Sequence, residues 1–314
     1  MNVTAGLENI RIRFGEAETV CVADEMGLQL NLAAAHLGGP VDEVLFECEW
    51  AEQEVGNNFS FLRSGGCMAG IAVVECGMEE IESVSEQLYD ELLAHTRGLS
   101  LQRLWNFVPH INDESLGQEV YRSFNAGRWK AFASVYGETK MDVRLPAATA
   151  VGLQESVPRL ALMFLAGDQP VEYFENPRQT PAYQYPSEFG PRSPSFARAS
   201  VVSCERGELG YLSGTSSICG SETVGQGDLE KQFSETMENI RVAMQQMGFA
   251  GGWDKMADYS PQLRVYVRDV EDYAELRERL AAVVGAEVLA QTVFIQADIC
   301  RQPLKLEIEG VFRK

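Results

Sequence analysis

The sequence predicts an α+β fold of two related domains, each a mixed β-sheet with helices packed on one face. Two observations support this prediction. The second half of the chain alternates strand and helix patterns in the order ββαβαββ, and the first half repeats that order more weakly. The length of 314 residues also suits two domains of about 150 residues, each with enough apolar material for a core.

The clearest elements lie in the second half. Asp228 is suited to be an N-cap, and a helix is predicted from there up to Gly248. The apolar residues that recur at helical spacing are Leu229, Phe233, Met237, Ile240, Met244 and Met247. Residues 263–267 alternate apolar and polar side chains, as in a half-buried strand. A second helix is predicted up to a break at Gly285. This second helix spans residues 273–284. Strands are predicted at 210–214, 290–299 and 304–312, and the first of them ends in a glycine turn.

The first half repeats this pattern. Residues 101–108 can be laid over residues 262–267, and a helix is predicted after them at 117–136. The last two strands of this copy are predicted at 149–153 and 160–166. We therefore expect a degenerate N-terminal domain at 1–168 and a catalytic C-terminal domain at 169–314.

Composition excludes several classes of function. The 26 basic and 46 acidic residues give a net charge of −20, which repels nucleic acids and anionic membranes. The seven scattered cysteines and three histidines lack metal-binding spacing, so neither structural zinc nor a disulfide framework is expected. The N-terminus lacks a signal-peptide pattern, and no apolar run is long enough to span a membrane. We expect a cytoplasmic protein.

The segment 175–199, ENPRQTPAYQYPSEFGPRSPSFARA, differs from the rest of the chain. It holds five of the twelve prolines, so it is neither a regular helix nor a central strand. It also holds four aromatic residues, and three arginines against two glutamates. Such a stiff, cationic loop is expected to be ordered, either as a strap between domains or as a wall that binds an anionic substrate through arginine and tyrosine donors.

A second group of candidate residues lies near the end of the chain. Arg301 begins a turn between the last two predicted strands, and Glu307 alternates with apolar residues on the last strand. On an exposed sheet face Glu307 would be a solvated charge, whereas in a pocket desolvation would favour its neutral form and let it act as a general acid. Cys300 has no histidine nearby, so we expect a buried small side chain rather than a nucleophile.

The second half resembles the YjgF/RidA superfamily over residues 193–313. The resemblance is carried by PSFARA, GYLSG, GDLEKQFSETMENI, LRVYVRD and KLEIEGVF. It implies a pocket in which an arginine before the last strand binds a carboxylate and a glutamate on that strand takes part in the chemistry. Arg301 and Glu307 match these two positions, Ser213 and Gly214 match backbone donors of the pocket, and Phe196 matches its aromatic wall.

The whole chain is more narrowly similar to the chorismatases, two-domain members of that superfamily. WNFVPHIN, YRSFNAGRWKAF, the segment 175–199 and SGTSSICGSETVGQGD carry this similarity across both halves. It implies cleavage of chorismate with loss of pyruvate. Some members form 3-hydroxybenzoate, alone or with 4-hydroxybenzoate, and others hydrolyse chorismate to a dihydroxycyclohexadiene carboxylate. Gly214 and Cys300 resemble the hydroxybenzoate formers, since hydrolytic members carry alanine at the glycine position.

The resemblance implies a role for each candidate residue. Glu307 is expected to protonate the methylene of the enolpyruvyl group. The residues expected to hold the carboxylates, flank the ring or shape the space around it are Tyr183, Tyr185, Arg192, Phe196, Ser213, Gly214, Cys300 and Arg301.

No metal or redox cofactor is expected, and the expected partner is a small molecule, bound by a monomer or a small homo-oligomer. Two alternative functions would use residues of the same site. One is a RidA-like imine or enamine hydrolase, and the other is a non-catalytic binder of an aromatic acid.

Overall fold

Three larger β-sheets and the helices packed on two of them make up the structure. The computed structural model describes residues 8–48, 52–138, 144–204, 207–249 and 253–314. In these ranges the larger sheets contain four, six and seven strands, and the predicted α+β class is confirmed. No helix among the described residues is both long and apolar enough to cross a lipid bilayer.

The N-terminal residues form a sheet that the sequence analysis did not predict. The strands of this region are β1 (Glu8–Phe14), β2 (Val20–Asp24), β3 (Gly27–Leu32), β4 (His36–Gly38) and β5 (Asp42–Cys48). Four of them form a sheet in the order β2-β3-β1-β5, in which β1 and β3 run parallel. The short strand β4 instead joins the edge of the seven-stranded sheet.

The six-stranded sheet is covered by two helices. Its strands and the nearby hairpin are β6 (Glu52–Val55), β7 (Phe59–Ser64), β8 (Cys67–Glu75), β9 (Ser100–Pro109), β10 (Glu114–Ser115), β11 (Gln118–Glu119), β12 (Ala147–Leu153) and β13 (Arg159–Gly167). The helices are α1 (Ile81–His95) and α2 (Val120–Tyr136). The order in space is β12-β9-β13-β8-β7-β6, with the hairpin β10-β11 outside the sheet.

The seven-stranded sheet has the same plan. The strands of this region are β14 (Val171–Phe174), β15 (Ala199–Cys204), β16 (Gly207–Thr215), β17 (Ile218–Cys219), β18 (Glu222–Thr223), β19 (Gln262–Val267), β20 (Val293–Gln296) and β21 (Leu306–Arg313). The helices are α3 (Leu229–Gln246) and α4 (Tyr273–Gln291). The sheet order is β14-β15-β16-β21-β19-β20-β4, and β17 and β18 form a separate hairpin.

The two sheets are topological repeats. The series β7-β8-α1-β9-α2-β12-β13 and β15-β16-α3-β19-α4-β20-β21 share the order ββαβαββ, and their strands take equivalent places in space. In each repeat the third and fourth strands of the series are parallel neighbours. The predicted equivalence of residues 101–108 with 262–267 is confirmed, because these segments lie in β9 and β19. A boundary at residue 168 stays a prediction.

The core lies on both sides of the two sheets. One face of each sheet packs on its own helices, α1 and α2 in the first repeat and α3 and α4 in the second. The opposite faces contribute to a shared apolar cluster together with β1 and β3. Polar side chains on these inner faces are therefore enclosed between the repeats.

Several predicted element ends need correction. The Asp228 N-cap is confirmed, since its carboxylate accepts the Lys231 N–H at 2.9 Å. Gly285 does interrupt α4, with φ of 80°, but helical turns resume because Val288 and Leu289 pack into the core. The following strand is therefore Val293–Gln296 rather than 290–299. The predicted turn at Gly214 is also wrong, because β16 continues through that residue.

Candidate active site

A cavity of about 350 Å³ lies between the two repeats and has the size of a small-molecule site. Its walls come from α2 and β12 of the first repeat, from the end of β16, the β20–β21 connection and β21 of the second, and from the proline-rich loop 175–198. Six of the predicted site residues line it, namely Tyr185, Phe196, Gly214, Cys300, Arg301 and Glu307. The fold therefore brings together residues from three separate stretches of the second half.

Glu307 is buried at the wall of this cavity, with 4% of its surface exposed. Its carboxylate accepts a hydrogen bond from the Ser216 hydroxyl at 3.3 Å. Burial, followed by the nearby charge of Glu309, raises the pKa of Glu307 to about 8. The alternative of an exposed, solvated glutamate is wrong, because β21 is a central strand and the side chain lies on the inner face of its sheet. A neutral Glu307 can donate a proton at neutral pH.

Gly214 gives the Glu307 carboxyl its space. The register between β16 and β21 shifts between Leu212 and Thr215, and Gly214 lies in this irregular stretch. A Cβ atom at residue 214 would collide with Oε1 of Glu307. A glycine is therefore required for the observed position of the carboxyl group.

Cys300 completes this side of the cavity. Its sulfur lies 4.0 Å from Oε2 of Glu307. Burial raises the pKa of the Cys300 thiol to about 12, so the group is neutral and not a thiolate nucleophile. This agrees with the expectation of a small side chain that shapes the cavity.

Arg301 extends across the aromatic wall of the cavity. Its guanidinium carbon lies 4.3 Å from the ring centroid of Phe189 and 5.2 Å from that of Tyr185. Nη1 donates to the Ser221 carbonyl at 2.6 Å. Nη2 is buried and has no hydrogen-bond partner among the described residues. Such an unpaired guanidinium edge is suited to a carboxylate ligand.

Two further buried arginines line the cavity and were absent from the predicted site. Arg198 is 4% exposed and donates to the Tyr185 hydroxyl at 2.8 Å. Arg128, on α2, is 1% exposed, and its guanidinium carbon lies 5.2 Å from the Phe124 ring centroid. In the described ranges no carboxylate lies within ion-pair distance of Arg128, and Arg198 has only Glu175, at 4.0 Å. The signals were present, since YRSFNAGRWKAF and PSFARA contain these arginines.

Three predicted site residues do not line the cavity. Tyr183 packs against the core of the first repeat, and Arg192 stacks on Trp129 with its guanidinium carbon 3.8 Å from the ring centroid. Ser213 is fully buried, and its hydroxyl donates to the Ala197 carbonyl at 2.6 Å. Their contacts here are structural, and their roles in substrate binding stay predictions.

The proline-rich loop is ordered, and part of it lines the cavity. Two short 3₁₀ turns at 182–184 and 187–189 place Tyr185 and Phe189 at the cavity. Arg178 ties the start of the loop to α3 through an ion pair with Glu235 and a hydrogen bond to Asn239. The loop is thus fixed to α3 at its start and forms a cavity wall at its middle and end, and binding of an anionic substrate by this wall stays a prediction.

The comparisons with known proteins agree on one protein family. The family described as "Chorismatase FkbO/Hyg5-like, N-terminal" matches residues 43–166. A 3-hydroxybenzoate synthase from Streptomyces hygroscopicus is 37% identical over 231 residues, which cover 70% of this chain and 66% of that protein, just under two thirds of its length.

Two further relatives match over more of their length. A chorismatase from Streptomyces hygroscopicus is 32% identical over 294 residues, which cover 88% of this chain and 82% of that protein. A crystal structure of a chorismatase superposes with a TM-score of 0.85 at 27% identity and covers 99% of this chain and 94% of that one. The similarity in sequence and in fold therefore extends over both repeats, and the chain belongs to the chorismatase family.

Proposed function

We propose that this protein cleaves chorismate, releases pyruvate and forms 3-hydroxybenzoate, with 4-hydroxybenzoate as a second product. The observation that supports this most is the buried Glu307 carboxyl, neutral at neutral pH, in a cavity that also holds the buried Arg128 and Arg198 and the partly buried Arg301. Chorismate is a small ring with two carboxylates, so it needs fixed cations and one proton donor. Both are present in this cavity.

The arginines account for binding. We assign the two substrate carboxylates to Arg128, Arg198 and Arg301, because all three line the cavity. Arg128 and Arg301 each have a buried N–H without a partner in the described ranges, and the one carboxylate near Arg198 is that of Glu175, at 4.0 Å. Arg192 is replaced in this assignment because it lies on Trp129 outside the cavity. The ring would lie against the aromatic side chains of the proline-rich loop.

The chemistry follows from the proton of Glu307. Its carboxyl protonates the methylene carbon of the enolpyruvyl group, which yields an oxocarbenium ion and makes pyruvate a better leaving group. The oxygen of the neighbouring ring hydroxyl bonds to the carbon that carries the ether as the bond from that carbon to pyruvate breaks, which gives an epoxide on the ring. One C–O bond of the epoxide then opens, its oxygen becomes the phenol hydroxyl, and loss of a ring proton aromatises the ring. One proton is taken up and one is released, so no water or oxidant is consumed. Gly214 and Cys300 shape the space in which water would otherwise attack.

The direct test is incubation of the purified protein with chorismate in ¹⁸O-labelled water. We expect pyruvate and hydroxybenzoate in equal amounts, with no label in the hydroxybenzoate. A dihydroxycyclohexadiene carboxylate, labelled or not, would instead show hydrolysis. If chorismate yields no pyruvate and 2-aminoacrylate yields ammonia, a RidA-like imine or enamine hydrolase would replace the proposal.

The pH dependence of the reaction rate should follow the protonation of Glu307. The pKa of Glu307 is raised to about 8, so the active protonated form dominates below that pH and is lost above it. We expect kcat/KM for chorismate to fall about tenfold per pH unit above about pH 8. Steady-state pyruvate release between pH 6 and 10 measures this limb. A rate that stays constant up to pH 10 would contradict protonation by Glu307.

Replacement of Gly214 by alanine should change both rate and product. The new Cβ would occupy the position of Oε1 of Glu307, so the carboxyl must move. A displacement on the order of 1 Å typically costs one to two orders of magnitude in rate, so we expect kcat to fall by at least about tenfold. We also expect a larger share of the dihydroxycyclohexadiene carboxylate, the product of hydrolysis. Unchanged rate and product, with an unchanged melting temperature, would mean that Gly214 does not position Glu307.

A further inference from the structure

We infer that Thr149 is a hydrogen-bond donor to the substrate, and that its hydroxyl contacts an oxygen of the enolpyruvyl group. Thr149 lies in the middle of β12 and lines the cavity, although only 2% of its surface is exposed. It comes from the first repeat, whereas the proton donor Glu307 comes from the second. This inference rests on the proposed function.

The hydrogen bonds of Thr149 fix the direction of its hydroxyl hydrogen. Arg103 Nη2 donates to Oγ1 at 2.5 Å, and the Gly214 backbone N–H donates to the same oxygen at 3.0 Å. A threonine hydroxyl has two acceptor positions and one hydrogen, and neither of these partners can accept. Both acceptor positions are therefore filled, and the hydroxyl can only donate in the remaining direction.

Arg103 cannot turn away from this bond. It is 1% exposed, and its Nη2 also donates to Glu309 at 2.6 Å. Its guanidinium carbon lies 5.0 Å from the Trp105 ring centroid. The backbone of Thr149 is held as well, because its carbonyl accepts from Asn106 at 2.8 Å. The hydroxyl is thus oriented before any ligand binds.

The hydroxyl hydrogen lacks an acceptor. Among the described residues no group accepts a hydrogen bond from Thr149 Oγ1, and a buried donor without a partner is destabilising. The residue lines the cavity, so the missing acceptor is a ligand atom. Gly214 contacts both Thr149 and the Glu307 carboxyl, which places that atom on the part of the substrate that Glu307 protonates.

Three variants test this inference. Thr149→Val keeps the shape and removes the hydroxyl, Thr149→Ser keeps the hydroxyl, and Thr292→Val removes a buried threonine hydroxyl that donates to Val288 away from the cavity. We expect Thr149→Val to lower kcat/KM for chorismate by about 10- to 100-fold. Thr149→Ser and Thr292→Val should stay within about threefold of the wild type, and the alkaline limb of the pH profile should not move in Thr149→Val.

The outcomes separate the inference from the function on which it rests. An active wild type with Thr149→Val within threefold of it would overturn the inference alone. So would a Thr149→Ser variant as impaired as Thr149→Val, or equal activity losses in Thr149→Val and Thr292→Val at equal losses of melting temperature. A wild type that releases no pyruvate from chorismate would overturn the proposed function and the inference with it.

Discussion

Replacing Glu307 by glutamine is expected to lower kcat for chorismate by at least about 100-fold, the usual scale for loss of a general acid. Glutamine has the same shape and can still accept from Ser216, but its amide has no acidic proton. The three arginines assigned to the substrate carboxylates are untouched, so chorismate should still bind. The alkaline limb of the pH profile should disappear from whatever activity remains, because the group that titrates is gone.

Two measurements check this prediction. Pyruvate release gives kcat, and calorimetry gives the affinity of the variant for chorismate. Glu222→Gln is a matched control, since Glu222 also lines the cavity but is exposed, and it should stay within about threefold of the wild type. If Glu307→Gln keeps more than about a third of the wild-type kcat, Glu307 does not supply the proton.

Replacing Glu309 by glutamine should destabilise the protein strongly. Glu309 is 4% exposed and accepts hydrogen bonds from Arg103 at 2.6 Å, Trp105 at 3.0 Å and Arg264 at 2.7 Å. Arg264 keeps a second carboxylate, Glu43, whereas Arg103 has no other ion pair among the described residues. An amide leaves a buried cation unpaired and turns one acceptor into a donor, a change that costs about 3–5 kcal/mol.

Thermal or urea unfolding measures this loss. Glu238→Gln is the matched control, because Glu238 pairs with Arg241 on the surface and such pairs contribute about 1 kcal/mol or less. Equal stability of the two variants would contradict the importance of the buried network. Activity gives a second readout, because the charge of Glu309 raises the pKa of Glu307. In Glu309→Gln the alkaline limb should therefore move to lower pH.

The repeat could be predicted from short-range patterns, whereas the role proposed for Glu307 came from the family resemblance. Alternation on β19 and β21 and the helical spacing on α3 are properties of neighbouring residues, so they are visible in the sequence. The strands with which the N-terminal strands pair are not visible in this way. β1 pairs in parallel with β3, and β4 pairs with a strand more than 250 residues away, which local periodicity does not specify.

The choice among arginines was also beyond the sequence. Arg192 and Arg198 occur in the same loop, and only the path of that loop shows that Arg198 turns into the cavity while Arg192 lies on Trp129. Arg128 lies on a helix whose pattern allows either a surface or a buried position. It becomes a candidate only when α2 is seen to close the cavity against the second repeat. Both arginines are marked by burial with few carboxylates nearby, none for Arg128 in the described ranges and only Glu175 for Arg198, and burial is a tertiary property.

Because of strand β4, the C-terminal half of the chain does not form its sheet alone. Through β4, residues 36–38 cap the β20 edge of the C-terminal sheet. A fragment that begins at residue 169 would lose this cap and expose the backbone groups of β20 beside Val293, Phe294 and Ile295, a typical site of edge-to-edge aggregation. A shortened chain would therefore need residues 36–38 as much as β21, even though the proposed proton donor lies seven residues before Lys314.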